Sequence, residues 1–175
     1  MTELTQDVLK EIIHYDPISG EWIWLYNPKS TKTRNKIYAG SKAGSITRYG
    51  YVIITFYLGG KKYQILAHRL AFLYMVGRLP TLEVDHIDMV RTNCKWDNLR
   101  EVTHSENAQN RRKQSNNTTG LKGVAKCSKH PGKWYVQIVF NGKRHTKYGF
   151  TSPEEASEYY KNLVKEHHGE YGRVA

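Results

Sequence analysis

Apolar residues recur at Leu4, Val8, Leu9, Ile12 and Ile13 with Asp7 and Glu11 turned the other way, a spacing that predicts an opening helix over 4–14. Asp16-Pro17-Ile18-Ser19-Gly20 is a turn signal, and the aromatic run over 21–26 predicts a strand leading away from it. Residues 27–45, rich in Lys, Thr, Ser, Asn and Gly, read as a long basic loop. Strand-like runs over 49–58 and 61–67 flank Gly59-Gly60, where two residues tolerant of positive φ predict a β-hairpin. Residues 68–76 predict a helix stopped by Gly77, with Pro80 just beyond. Residues 82–87 and 99–102 read as strands joined by a long loop. A helix follows from about His104, its start marked by Thr103 with Glu106 three residues on.

The polar stretch 114–120 is the best boundary in the chain. Beyond it, strands are predicted over 122–126, 134–140 and 143–149, the last two joined through a type I′ turn at Asn141-Gly142. Ser152, Pro153 and Glu155 start a covering helix whose buried stripe is Ala156, Tyr159, Tyr160, Leu163 and Val164. The fold class expected is therefore α+β, with a β-rich N-terminal region and a C-terminal three-stranded antiparallel sheet packed on one helix.

Composition narrows the partners. The 175 residues could form one medium domain or two small ones, and 39% apolar residues supply a modest core. No run of about 18 apolar residues exists, and Met1-Thr2-Glu3-Leu4-Thr5 lacks a basic-then-apolar secretory pattern, so an intracellular protein is expected. Cys94 and Cys127 stand far apart without a CxxC partner, which suggests neither a disulfide framework nor a zinc knuckle. Lys and Arg number 27 against 16 Asp and Glu, for a net charge of +11. The excess is segregated, because 22–82 and 107–153 contain no acidic residue. Such fields attract phosphate polyanions, which makes nucleic acid the leading partner.

One constellation carries chemistry. Phosphodiester hydrolysis needs an activated water, stabilisation of phosphoryl charge and help for the departing oxygen. Asp85 offers a carboxylate oxygen to a hard divalent ion, and Asn107 offers an amide oxygen from the first turn of the following helix. His86, on the other side of the strand from Asp85, suits a general base, and Asn98 suits a brace for the loop between them. Each residue alone has a plainer reading as a turn, cap or surface group. Asp85-His86, then Asn98 twelve residues after the histidine and Asn107 nine beyond that, resemble the HNH endonuclease motif in the variant whose last histidine is asparagine.

The resemblance covers roughly 68–112 and implies a ββα-metal fold, with Asp85 and Asn107 as metal ligands, His86 as general base and Asn98 as structural asparagine. Mg²⁺ is the metal expected, with Mn²⁺ the other choice. Asn110 competes with Asn107 for the second ligand position, and the family spacing favours Asn107. Arg111, Arg112 and Lys113 follow, as phosphate contacts or as charges that complement the helix C-terminus. His68 and Arg69 stand at a helix start, either serving the site or simply packed.

The C-terminal segments Gly120-Leu121-Lys122-Gly123-Val124, Gly132-Lys133-Trp134-Tyr135-Val136, Asn141-Gly142-Lys143-Arg144 and Ser152-Pro153-Glu154-Glu155-Ala156 resemble the AP2 DNA-binding domain. That family reads the major groove with its sheet, which implies DNA contact by Lys122, Lys126, Tyr135, Gln137, Arg144 and Lys147, subject to strand parity. Alternation predicts Val136, Ile138 and Phe140 on the helix side and Tyr135 and Gln137 outward. The domains expected are a nuclease over 1–113 with motif core 82–113, a linker over 114–120 and an AP2-like reader over 121–175. The function expected is metal-dependent cleavage of double-stranded DNA by a homing-type or phage-encoded enzyme, nicking as a monomer and able to break both strands as a homodimer. The alternatives are a catalytically silent sequence-specific DNA-binding regulator and an RNA-directed protein.

Overall fold

Thr5 starts helix α1 (Gln6–Ile12) by accepting the Val8 N–H on its side chain, and the helix ends where Ile13 enters strand β1 (Ile13–Tyr15). The helix is shorter than the expected 4–14. Ile13 and Tyr15 bury themselves at the two-residue period of a strand, paired antiparallel with β2 (Trp22–Trp24). Tyr15 stacks on Trp22 at 4.5 Å, and Tyr74 meets both rings edge-on at 5.7 Å. The computed structural model describes residues 3–28, 31–110 and 117–174.

The expected loop over 27–45 contains helix α2 (Lys32–Tyr38). It buries no side chain, so it leaves no apolar stripe to detect. Local hydrogen bonds specify it instead: Thr31 caps Arg34 N, and the Asn35 carboxamide both accepts from and donates to the Asn27 backbone. Strands β3 (Ser45–Ile46), β4 (Val52–Leu58) and β5 (Lys61–Leu66) form an antiparallel sheet in that order. The β4–β5 turn uses Gly59 and Gly60 at φ 56° and 80°, as the hairpin signal requires.

Helix α3 (Ala67–Val76) follows β5 without a break and stops at Gly77 in the left-handed region. Its residues Ala67, Leu70 and Ala71 are wholly buried against Leu9, Ile13, Ile54 and Phe56. Each large aliphatic side chain buried this way contributes about 1.5–3 kcal/mol, so Leu70→Ala is costly at about 2–5 kcal/mol. Leu99, from the hairpin of β6 (Glu83–His86) and β7 (Leu99–Val102), joins the same core.

The chain divides into two compact units, Met1–Val102 and Thr103–Ala175. The second opens with helix α4 (His104–Gln109), started by the expected capping box of Thr103 and Glu106. Strands β8 (Val124–Lys126), β9 (Trp134–Phe140) and β10 (Lys143–Phe150) form an antiparallel sheet with β9 central. Val124, Val136 and Ile138 pack against Ala156, Tyr160 and Val164 of helix α5 (Pro153–His167). Asn141 at φ 51° and Gly142 at φ 70° make the turn between β9 and β10. Among the described residues no helix is long and apolar enough to cross a membrane.

Candidate active site

The β6–β7 hairpin pairs Asp85 with Arg100 and His86 with Leu99. Residues directly opposite share a face, so the register sets Arg100 beside Asp85. Its Nε and Nη2 donate to Asp85 Oδ2 at 3.0 and 2.8 Å, and both side chains are largely buried. Alternation sends His86 to the other side. There its ring meets His68 of α3 edge-on at 4.9 Å, with planes 81° apart, and Tyr51 at 6.0 Å. Tyr51 and His68 are themselves 5.3 Å apart, so rings from β6, α3 and the turn before β4 enclose one another.

Burial pushes the His86 imidazole below its ordinary range and Arg91 adds to the effect, although Asp88 and Asp85 pull the other way. The net lowering favours the neutral ring, which keeps an accepting nitrogen. His68 is pushed down to about 3 by burial, then by His86 and Arg69. Its Nδ1 is buried with no hydrogen-bond partner among the described residues, which costs about 1–3 kcal/mol.

The loop after His86 is held by carboxamides. Asn98 Oδ1 accepts from Asp88 N at 3.0 Å, while Asn98 Nδ2 donates to Asp88 Oδ1 at 3.0 Å and Asn93 O at 2.9 Å. Burial raises the Asp88 carboxyl, but hydrogen bonds from Asn93, Val90 and Asn98 outweigh it and hold the group below the usual carboxylate range. The loop is also pinned from the N-terminal turn, since Tyr15 OH donates to Cys94 O at 2.6 Å and Trp96 N to Pro17 O at 2.9 Å. Gly20 makes this approach possible: a Cβ there would lie 2.5 Å from the backbone of Cys94 and Lys95. Arg91 closes the far side, donating to Tyr49 O at 2.7 Å with its guanidinium over the Tyr51 ring.

Three of the four expected motif residues, Asp85, His86 and Asn98, thus come together in the first unit. Asn107 stands half-buried on α4 of the second unit, and Asn110, just past that helix, is buried. Arg111, Arg112 and Lys113 lie outside the described residues. Sequence reasoning did not single out Arg100, Tyr51 or Arg91. Arg100 could have been found only from the hairpin register across a loop, and Tyr51 and Arg91 leave no local signal.

In the second unit, strand parity divides the expected DNA contacts. Arg144 pairs with Val139, and Tyr148 with Tyr135, so Tyr135, Gln137 and Arg144 share the outward face. Lys147 pairs with Val136 and Lys126 with Trp134, which puts both on the helix side, apart from the outward set. Lys147 Nζ lies 4.1 Å from the Tyr159 ring centre, and Lys126 Nζ 5.5 Å from that of Trp134. Lys122 Nζ donates to Gln109 O at 3.0 Å, and burial, with Arg173, lowers it to about 8. Lys122, Tyr135, Gln137 and Arg144 line a cavity of about 610 Å³ within this unit.

A family model described as HNH endonuclease matches residues 66–109. "Uncharacterized HNH endonuclease L560" of Acanthamoeba polyphaga mimivirus is 32% identical over 106 residues, covering 59% of this chain and 54% of the relative. "Protein 3.8" of Escherichia phage T7 is 33% identical over 90 residues, covering 51% of this chain and 73% of the relative. A solved structure, "DNA binding and cleavage by the HNH homing endonuclease I-HmuI", is similar over 90% of this chain and 85% of that chain, at 23% identity and a TM-score of 0.42. The chain spans about half the length of the mimivirus relative and about three quarters of the phage one. With the matched segment running from the start of α3 through α4, and so over His86, Asn98 and Asn107, the chain belongs to the HNH endonuclease family.

Proposed function

We propose that this protein is a metal-dependent endonuclease that hydrolyses phosphodiester bonds in duplex DNA, of the homing or phage-encoded type. The observation that carries the reading is the end of β6, where a buried imidazole and a buried carboxylate leave adjacent residues in opposite directions above a loop clamped by Asn98. A base must accept a proton from water, and burial of His86 favours the form that can. The viral and phage relatives and the net charge of +11 support the substrate class.

Among the described residues no three His, Cys, Asp or Glu side chains gather as a cation site. The donors the motif offers, one carboxylate and one carboxamide oxygen, fit a hard ion such as Mg²⁺, which keeps much of its coordination in water and phosphate oxygen, and do not fit a structural zinc. Asp85 and Asn107 are the hard oxygen donors that would hold it. When bound, the ion supplies positive charge to the phosphoryl and departing sugar oxygens. The chain's own residues do the rest. Arg100 fixes the direction of the Asp85 carboxylate, His86 takes the proton of the attacking water, and Asn98 keeps the loop from shifting the imidazole.

In this reading the nuclease module runs over 1–113 with its core at 82–113, because α4 carries Asn107 even though the compact units part at Thr103. Residues 114–120 link it to an AP2-like reader over 121–175, whose sheet on one helix supports that assignment. Tyr135, Gln137 and Arg144 form its reading face, Lys122 borders it, and Arg111, Arg112 and Lys113 contact phosphate. Incubation with supercoiled plasmid tests the reading: nicked circles are expected with Mg²⁺ or Mn²⁺ and none with EDTA. Retained DNA binding with intact plasmid under every condition would favour the silent regulator.

A further inference from the structure

His68 is the one histidine beside the site for which general-base chemistry has no use. It is 5% exposed, its Nδ1 is unmatched among the described residues, and an apolar residue of the same size would fill its place at the start of α3 without that penalty. Its neighbours are other rings: His86 at 4.9 Å and Tyr51 at 5.3 Å.

The 4.9 Å spacing has a chemical meaning. Two imidazoles joined ring to ring by one hydrogen bond have centres about 5 Å apart, from an N–H···N length of about 2.9 Å plus the radius of each ring. The ring centres already stand at that separation, and a turn of the edge-on rings about their side-chain bonds is what would align donor with acceptor. Which nitrogen of an imidazole carries the proton is set by the bond its other nitrogen makes.

We propose that His68 is a positioning residue for His86: with DNA bound, His68 Nδ1 accepts the N–H of the His86 ring, fixing the tautomer whose other nitrogen faces the attacking water. Tyr51 limits how far either ring can turn, and Arg91, lying over Tyr51 and tied to Tyr49 O, holds Tyr51 in place. The depressed pKa of His68 keeps its acceptor lone pair available across the working pH range. The inference rests on His86 being the general base.

The test compares His68→Phe, which keeps a ring but lacks the acceptor, with His68→Asn, whose carboxamide oxygen replaces Nδ1. Each full-length variant is assayed for single-turnover nicking of plasmid with Mg²⁺ and for DNA affinity with Ca²⁺, next to His86→Ala. The Phe variant is expected to lower the cleavage rate constant roughly 10- to 100-fold, the scale at which hydrogen-bond partners of functional imidazoles are felt. Its affinity is expected to stay within about two-fold, and the Asn variant to recover most of the rate, a split that a packing role does not produce. Wild-type cleavage by the Phe variant, equal loss in both variants, or loss confined to affinity would overturn the proposal. Wild-type cleavage by His86→Ala would remove the general-base reading itself, whereas an inactive His86→Ala beside a fully active His68→Phe removes only the positioning role.

Discussion

The end of β6 and the outward face of the C-terminal sheet treat their polar side chains in opposite ways. Asp85 and His86 are 6% and 4% exposed, each backed by partners from other elements, whereas on the outward face of the sheet Tyr135 and Gln137 are half-buried and Arg144 is exposed. The difference suits the two roles proposed for them. Chemistry needs a proton acceptor at a set angle in a medium that shifts its pKa, which burial and bracing supply. Contact with a long polyanion needs groups that water already reaches, so little desolvation opposes binding.

The largest effect that sharpens this contrast is expected at the buried ion pair. Asp85→Ala leaves Arg100 buried without its carboxylate, and a loss of about 3–5 kcal/mol in urea unfolding is expected, together with loss of cleavage. An unfolding midpoint equal to wild type would mean that Asp85 is not part of a braced site. Next comes Glu101, on the strand beside Asp85's partner. It accepts from Thr81 N at 2.7 Å, Leu82 N at 3.0 Å and Arg78 Nη2 at 2.8 Å, and Arg78 with the two amides lowers it to about 2. A folded pKa below the unfolded one gives stability that is present above about pH 4.5 and lost as pH falls toward 2. Glu101→Gln is therefore expected to melt roughly 3–6 °C lower at pH 7, with the gap closing in acid. A gap that widens in acid contradicts the sign. The smallest effect belongs to the open face: Arg144→Ala is expected to reduce the salt slope of DNA binding by about 1 and to leave the unfolding midpoint unchanged.

What could be read from the sequence divides along the same line. Features set by neighbouring residues were legible: the Gly59-Gly60 and Asn141-Gly142 turns, the Thr103–Glu106 box and the Val136–Ile138 alternation all stand as expected. Helix α2 was not, because caps and an Asn35–Asn27 exchange replace the apolar stripe that reveals a helix. Within the site, the spacing of Asp85, His86 and Asn98 was legible, and its supports were not. Arg100 meets Asp85 only through the register of a hairpin whose loop is long, and His68 meets His86 only because α3 and the β6–β7 hairpin, through Leu99, share one core. Strand parity likewise removed Lys126 and Lys147 from the outward face, since composition counts charges without saying which side carries them.

In the proposed mechanism His86 acts on the reacting water and not on DNA docking. Single-turnover nicking by His86→Ala with Mg²⁺, measured beside its DNA affinity, tests it most directly. The rate is expected to fall at least about 100-fold, with affinity within a few-fold of wild type. Wild-type nicking by that variant, or a loss explained wholly by weaker binding, would contradict it.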